Sequence, residues 1–283
     1  MINNKDVCLG LMTWPEIEQR LMETDIALIP VGQTEQHGLH ASTDLDSRNA
    51  EGIAIRSAMA AFNLAKPVVA PIVNYGYSDL PGLRDYVGVF SLRGETLINL
   101  YYDVAFSLVR MGFTKIIFVN GHDANPPFVN EAMRRITKKT GAFCAMGHIS
   151  EMNKEFAGKV LDKYDMPHDF GHACLIETSV AMAFDMEVRE QTMVGHYCDK
   201  NDGPIGKIFP IAPDGISFPA WECPEVMDKV WPHGSPGPKG NPAGSTRELG
   251  EEIIEATIKP LVYLIESIKD YKPKVKEHLE FDV

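Results

Sequence analysis

The sequence is poor in the features that mark secreted, membrane-spanning or nucleic-acid-binding chains. Only five of its 283 residues are cysteine (Cys8, Cys144, Cys174, Cys198 and Cys223). Their scattered positions and odd number argue against a disulfide framework or a zinc knuckle and favour a reducing compartment. No window approaches the roughly 18 consecutive apolar residues of a spanning helix. The opening MINNKDVCLGLMTWPEIEQRL lacks the basic start and apolar run of an export signal, so a cytoplasmic location is expected. Positive charge is also scarce: 27 Lys and Arg stand against 39 Asp and Glu, a formal net charge of −12. A phosphate backbone needs a concentrated basic surface, so no nucleic-acid partner is expected. The richest basic run, RRITKK at 134 to 139, reads as the solvated end of an amphipathic helix. Three cofactor and nucleophile signatures are missing as well. There is no G-x-G-x-x-G opening a helix, no phosphate-binding loop ending in Lys-Ser/Thr, and no G-x-S-x-G elbow.

What is present is a globular balance, 45% hydrophobic and 23% charged, in a chain long enough to bury a large core. Apolar β-prone runs at 26 to 32, 67 to 73, 115 to 121 and 142 to 148 read as strands. The first and third are almost continuously apolar, as buried parallel strands are. Helical spacing fills 49 to 64, 95 to 111 and 126 to 139, with Leu97, Leu100, Tyr101, Val104, Leu108 and Met111 tracing one face. A last helix is expected over 246 to 268, bent at Pro260. This alternation predicts a three-layer α/β/α sandwich with a mainly parallel central sheet, forming one domain over 1 to 283. Residues 199 to 244, with nine prolines and seven glycines, break the pattern. They are expected to form an ordered wall of the site or a subunit contact, with Trp221, Trp231 and His233 as its contact groups.

The chemically dense stretch is PVGQTEQHGLHASTDLDSRNAEG, residues 30 to 52. In an extended chain leaving the first strand, Glu35 and His37 share a face, and a carboxylate beside an imidazole is half of a divalent-metal site. Asp46 stands just before an apparent helix start, where it either caps free N–H groups or turns inward as a ligand. His122, in GHDAN after the strand IIFVN, belongs at the carboxyl end of another buried strand. Open α/β sheets place their sites at those ends, so the two clusters can converge on one metal site.

Three ordered motifs carry a resemblance: PVGQTEQHG with Asp46 eleven residues after Glu35, then FVNGHDAN, then HACLIETS. Together, over about Ala27 to Gly250, they resemble the creatininase family of metal-dependent amidohydrolases. The resemblance implies that Glu35, His37, Asp46 and His122 are metal ligands and that Asp46, rather than Asp44, bridges two ions. Creatininase has a ligating Glu two residues after the GH histidine, where this chain has Ala124. Glu177 is the expected replacement, with helix capping as its competing role; Asp123 is disfavoured because its neighbour His122 points inward. His172 resembles the family histidine that transfers a proton beside the substrate. The implied cofactor is one or two divalent ions, zinc, manganese or iron, and the implied assembly is a homo-oligomer, commonly a hexamer in this family.

The expected chemistry is attack of a metal-activated water on a carbonyl of a small amide, cyclic or open, with C–N cleavage; Glu177 and His172 are the expected catalytic groups. The segment NYGYSDLPGLRDYVGVFSL, residues 74 to 92, departs from the FPGT pattern of family members, and His40, Ala41, Ser42 and Thr43 replace their HLPL. These departures speak against creatinine specificity and leave a small carbonyl compound as the expected substrate. Three alternatives stand beside it: cleavage of a C–C bond in a cyclic polyhydroxy diketone, a metal-dependent lyase or isomerase of a polyhydroxy ketone, and a non-catalytic metal- or ligand-binding protein.

Overall fold

The computed structural model describes residues 2–166, 171–196 and 235–280. Four strands, β1 (Ile26–Val31), β2 (Val68–Val69), β3 (Lys115–Asn120) and β4 (Phe143–His148), form a parallel sheet in the order β2-β1-β3-β4. Every residue of β1 and β3 is buried, which explains their unbroken apolar character: both faces of the inner strands are covered. The second expected strand shrinks to a two-residue pairing at Val68–Val69 because Pro67 and Pro71 deny the ladder N–H donors on either side.

Seven helices of eight residues or more are described: α1 (Trp14–Leu21), α2 (Leu45–Ala60), α3 (Gly94–Met111), α4 (Pro126–Thr140), α5 (Lys154–Lys163), α6 (Leu175–Ala183) and α7 (Arg247–Ile268). One apolar core, including Ile53, Val180, Ile253 and Leu261, lies between the sheet and α2, α5, α6 and α7. A second, including Tyr101, Phe106, Val129 and Ile136, lies between the opposite face and α3 and α4. The three-layer α/β/α arrangement expected from the sequence is what forms.

Two local expectations are corrected. The helix after the first motif starts at Leu45, not at 49, so Asp46 sits inside its first turn rather than before it. Its sequence carries little apolar periodicity there because the first turn faces a polar site. The last helix, by contrast, forms close to its expected bounds and runs through Pro260, where packing of Ile253, Ile258, Leu261 and Ile265 outweighs one lost backbone bond. Met111, assigned to the buried face of α3, is 53% exposed, whereas Phe106 and Val109 are buried.

The chain order places a topological switch between β1 and β3. The first crossover leads to β2 on one side of β1, and the next returns to β3 on the other. A crevice opens there at the carboxyl ends of the strands. Two glycines let α2 enter it. A Cβ on Gly32, just past β1, would stand 2.4 Å from the Ser47 Cα, and one on Gly121, just past β3, would stand 2.5 Å from the Asp46 carbonyl oxygen. Both contacts are with main-chain atoms, so the first turn of α2 rests directly on the two strand ends and delivers Asp46 between them.

Gly121→Ala therefore forces α2 away from the sheet. We expect a loss of about 1–3 kcal/mol of stability, the usual cost of overpacking, together with weakened metal retention. Chemical denaturation and metal analysis of the purified variant check this; wild-type values for both would show that α2 is not positioned by this contact.

Candidate metal centre

Glu35 and His37 follow β1, His122 follows β3, Asp46 projects from the first turn of α2, and His172 precedes α6. Glu35, His37, Asp46 and His122 are each at most 7% exposed. Their donor atoms form two overlapping sets, Glu35 with His37 and His172, and Glu35 with Asp46 and His122; within each set all atoms lie within 4.8 Å of one another. Asp46 spans the two inner histidines: Oδ1 lies 3.0 Å from His37 Nε2 and Oδ2 3.0 Å from His122 Nδ1. Glu35 Oε1 lies 3.5 Å from His122 Nδ1 and 3.3 Å from His172 Nδ1.

The orientation of the imidazoles is set by the backbone. His37 Nδ1 faces the Glu35 carbonyl at 3.1 Å, His122 Nε2 faces the Tyr77 carbonyl at 2.8 Å, and His172 Nε2 faces the Gln36 carbonyl. A carbonyl can only accept, so His37 Nδ1 and His122 Nε2 donate their N–H and the opposite nitrogens, in the neutral rings, turn a lone pair toward Asp46 and Glu35. At His172 the Gln36 side-chain amide nitrogen, a donor 3.0 Å from Nε2, competes with the Gln36 carbonyl for the same ring nitrogen. Lone pairs facing carboxylates need a cation between them, either a proton or a metal ion. Asp46 Oδ2 shows the same need: it is fully buried and receives no well-aligned hydrogen bond, although His122 Nδ1 is close. This mixed nitrogen and oxygen donor set fits zinc, manganese or iron.

The electrostatics agree. Burial alone would lower His37 and His122, but the carboxylates outweigh it. Asp46 leads in raising His37 to about 9, and Glu35 leads in raising His122 to about 10. Burial would raise Asp46, yet His37 and His122 hold it below the ordinary carboxylate range. Burial pushes Glu35 upward. His172 behaves oppositely: burial, then the neighbouring His37, take it down to about 3. Its ring lies 4.4 Å from that of His37, centroid to centroid.

The remaining sequence-derived candidates separate. Glu177, in the first turn of α6, lines the same cavity, but its Oε2 accepts a 2.6 Å bond from the Ala173 N–H and it belongs to neither donor set. Burial and then Asp46 push it up to about 8. Asp44 is turned to the exposed side and receives the Ser42 hydroxyl. Asp123 turns toward β4. Three polar groups gave no separate signal in the sequence. Ser78 donates to Glu35 Oε2 and lies 3.3 Å from His122 Nε2; Gln33 bonds Ser78 and the Phe90 carbonyl. Gln36 bonds the Gly237 carbonyl at 3.0 Å. Gln33 and Gln36 sit within the PVGQTEQHG motif with no pattern of their own, and Ser78 sits in a loop with no periodicity to expose it.

The end of the proline- and glycine-rich stretch reaches this region. The Lys239 N–H bonds the His172 carbonyl at 2.7 Å, and the Tyr86 hydroxyl bonds Ser235. Trp221, Trp231 and His233 lie outside the described residues. The cavity itself, about 360 Å³, is lined by Glu35, Asp46, His122, His172, Glu177 and Lys239, with Tyr77, Leu80, Leu83, Pro127 and Phe128 on its apolar side.

A doubly covered parallel sheet with buried carboxylates and imidazoles converging at its switch point defines an α/β protein of the metal-dependent hydrolase class. The family described as "Creatininase: Creatinine amidohydrolase" matches residues 10–265, and the chain belongs to the creatininase family of metal-dependent amidohydrolases. Creatinine amidohydrolase of Pseudomonas putida is 26% identical over 265 residues, covering 90% of this chain and 95% of that one. The 3-dehydro-scyllo-inosose hydrolase of Thermotoga maritima is 27% identical over 187 residues, 64% of this chain and 57% of that one. A crystal structure of creatininase superimposes with a TM-score of 0.73 at 24% identity, covering 94% of this chain and 99% of that one. Two other solved creatininases are described as a manganese form and as a Zn–Zn form of a variant.

The raised histidines make metal uptake pH-dependent. In the metal-free protein His37 and His122 hold protons up to about 9 and about 10, and an ion must displace them. Apparent metal affinity should therefore rise with pH, by up to about tenfold per unit for each proton displaced, and level off above about pH 10. Calorimetry in buffers of different ionisation enthalpy should show proton release that is larger near neutrality than near the plateau. Affinity independent of pH across this range would contradict the arrangement.

Proposed function

We propose that this chain hydrolyses a small amide, cyclic or open, at a centre of one or two divalent ions held by Glu35, His37, Asp46 and His122. Glu177 is the further carboxylate available to a second ion. The carrying observation is the fixed orientation of His37 and His122: each donates one N–H to a main-chain carbonyl and turns its other nitrogen toward buried carboxylates. A divalent ion bound there supplies Lewis acidity and a water acidified toward neutral pH.

The side chains then divide the work. Asp46 and Glu35 fix the positions of the imidazoles and offset positive charge. His172, anchored at Nε2 on the Gln36 carbonyl, presents Nδ1 as the atom that takes the proton from the attacking water and passes it to the leaving nitrogen. Burial and then His37 hold its pKa at about 3, so the neutral ring is the form that stands ready to accept the proton. The Glu177 carboxyl, pushed up to about 8 by burial and Asp46, faces the same cavity as a second proton-holding group.

The departures at 74 to 92 and at Ala124 favour a substrate other than creatinine. Ala124 packs with Leu80, Leu83 and Tyr77 as an apolar wall and offers no ligand. The relative named as a 3-dehydro-scyllo-inosose hydrolase supports a second reading, in which the same centre cleaves a C–C bond of a cyclic polyhydroxy diketone. We also propose a single functional unit over 1 to 283, a cytoplasmic location and a homo-oligomeric assembly, a hexamer by family likeness. No helix among the described residues is long and apolar enough to cross a membrane.

The test is reconstitution of metal-depleted protein with zinc, manganese or iron, followed by product analysis in ¹⁸O-water on amide and cyclic diketone panels. Amide hydrolysis gives a labelled acid and a free amine; C–C cleavage gives a labelled acid without amine release; no turnover with any ion rejects hydrolysis of both substrate classes. His172→Ala should keep the bound ion while lowering turnover by ~10²-fold or more, read by metal analysis beside steady-state kinetics. Loss of the ion would make His172 a ligand instead, and undiminished activity would remove its role.

A further inference from the structure

One wall of the cavity carries a polar constellation that the hydrolytic chemistry above leaves unused. Asp123 follows His122 in sequence but turns away from the donor sets, toward the end of β4. Its Oδ1 accepts from His148 Nε2 at 2.9 Å and from the Ser150 hydroxyl at 3.0 Å, and Ser150 Oγ lies 3.3 Å from the same imidazole nitrogen. His148 is the last residue of β4, and Ser150 lies in the single helical turn Ile149–Met152 that follows. Two donors on one oxygen fix the plane of the carboxylate. Among the described residues none makes a hydrogen bond or ion pair to Oδ2, and the side chain is 72% exposed while lining the cavity. A latch between two strand ends would not need to present a free carboxylate oxygen to the cavity.

The surroundings define what that oxygen can receive. The apolar side is formed by Tyr77, Leu80, Leu83 and Phe128, and Glu151 stands on the polar side near Asp123, Ser150 and His148. A ligand entering the cavity strips water from an acceptor-only group. One with a donor at that position replaces the lost bonds; one without a donor leaves a buried carboxylate unpaired. That asymmetry gives strong selection against analogues lacking the donor.

We infer that Asp123, oriented by His148 and Ser150, is a specificity-determining residue that accepts a hydrogen bond from an ammonium or hydroxyl group of the substrate, whose intervening carbons lie along Leu80, Leu83 and Phe128. This rests on the hydrolase reading of the same cavity. The substrate is then an amphipathic carbonyl compound with a donor-bearing tail, and a carboxylate tail laid along this wall would meet Asp123 and Glu151, although Lys239 also lines the cavity.

Hydroxamic acids test this without requiring turnover, because the hydroxamate anchors on a divalent ion and the tail reports on the wall. Dissociation constants are measured by calorimetry on the manganese- or zinc-loaded protein for propiono- and butyrohydroxamate and their terminal amino and hydroxy counterparts. Succinic acid monohydroxamate serves as the carboxylate-tailed control. At one tail length the amino or hydroxy compound should bind roughly tenfold tighter or more than the plain one, as expected for a charge-assisted bond, and the carboxylate compound more weakly. The larger of the two gains identifies ammonium or hydroxyl as the donor. In Asp123→Leu both gains should collapse to near unity. In Asp123→Asn, which keeps an acceptor without the charge, the ammonium gain should fall while part of the hydroxyl gain persists. Circular dichroism and metal content confirm folded, loaded variants. Equal binding of plain and donor-bearing compounds at every length, or gains that survive in Asp123→Leu, would overturn the inference. If no hydroxamate binds a protein that demonstrably carries its ion, the hydrolase reading fails first and the inference with it.

Discussion

The structure depends on a charge constraint at the sheet's switch point. Two carboxylates and two imidazoles, Glu35, Asp46, His37 and His122, are packed almost without solvent. Buried charges are tolerated only when paired, and an incomplete set costs several kcal/mol. Here the imidazole nitrogens and the carboxylate oxygens are aimed at one another, and the outward ring nitrogens of His37 and His122 are already committed to main-chain carbonyls. A cation completes that arrangement. Protons can serve, which is why His37 and His122 rise to about 9 and about 10, and a divalent ion held by these residues would meet the same need without them.

Much of the surrounding architecture serves to hold those groups still. Buried strands fix the starting points of the Glu35 and His122 segments, and the backbone carbonyls of Glu35, Tyr77 and Gln36 set the imidazole planes. Gly32 and Gly121 bring α2 close enough for Asp46 to reach both histidines. Bonds from the Gln36 side chain and the Lys239 N–H tie the end of the proline-rich stretch to the site. Main-chain carbonyls thus set the imidazole planes, while the Ser78 and Gln33 side chains brace Glu35 from the other side.

This division explains what was readable in the sequence. The strands were legible because burial on both faces leaves continuous apolar runs such as IALIPV and KIIFVN, and Glu35, His37 and His122 stood out as ligand types just beyond them. The start of α2 was misplaced because Leu45, Asp46 and Ser47 are buried by a polar site rather than by an apolar core, leaving no periodicity to follow. Ser78 and the orientation of His172 were not legible, since both arise from contacts between segments far apart in sequence, Ser78 with Glu35 and His172 with Gln36. The same holds for Asp123, whose partners His148 and Ser150 lie at the end of the next strand and in the turn after it. The contact role expected for Trp221, Trp231 and His233 falls outside the described residues.

The most direct measurement of the central claim is a crystal structure of the protein grown with manganese or zinc, with the ion located by its anomalous scattering. The account predicts an ion contacted by His37 Nε2, His122 Nδ1 or both, with Asp46 and Glu35 as its carboxylate ligands and the outer imidazole nitrogens still on the Glu35 and Tyr77 carbonyls. An ion bound elsewhere in a fully loaded crystal, with Asp46 and these histidines bonded only to one another, would contradict it.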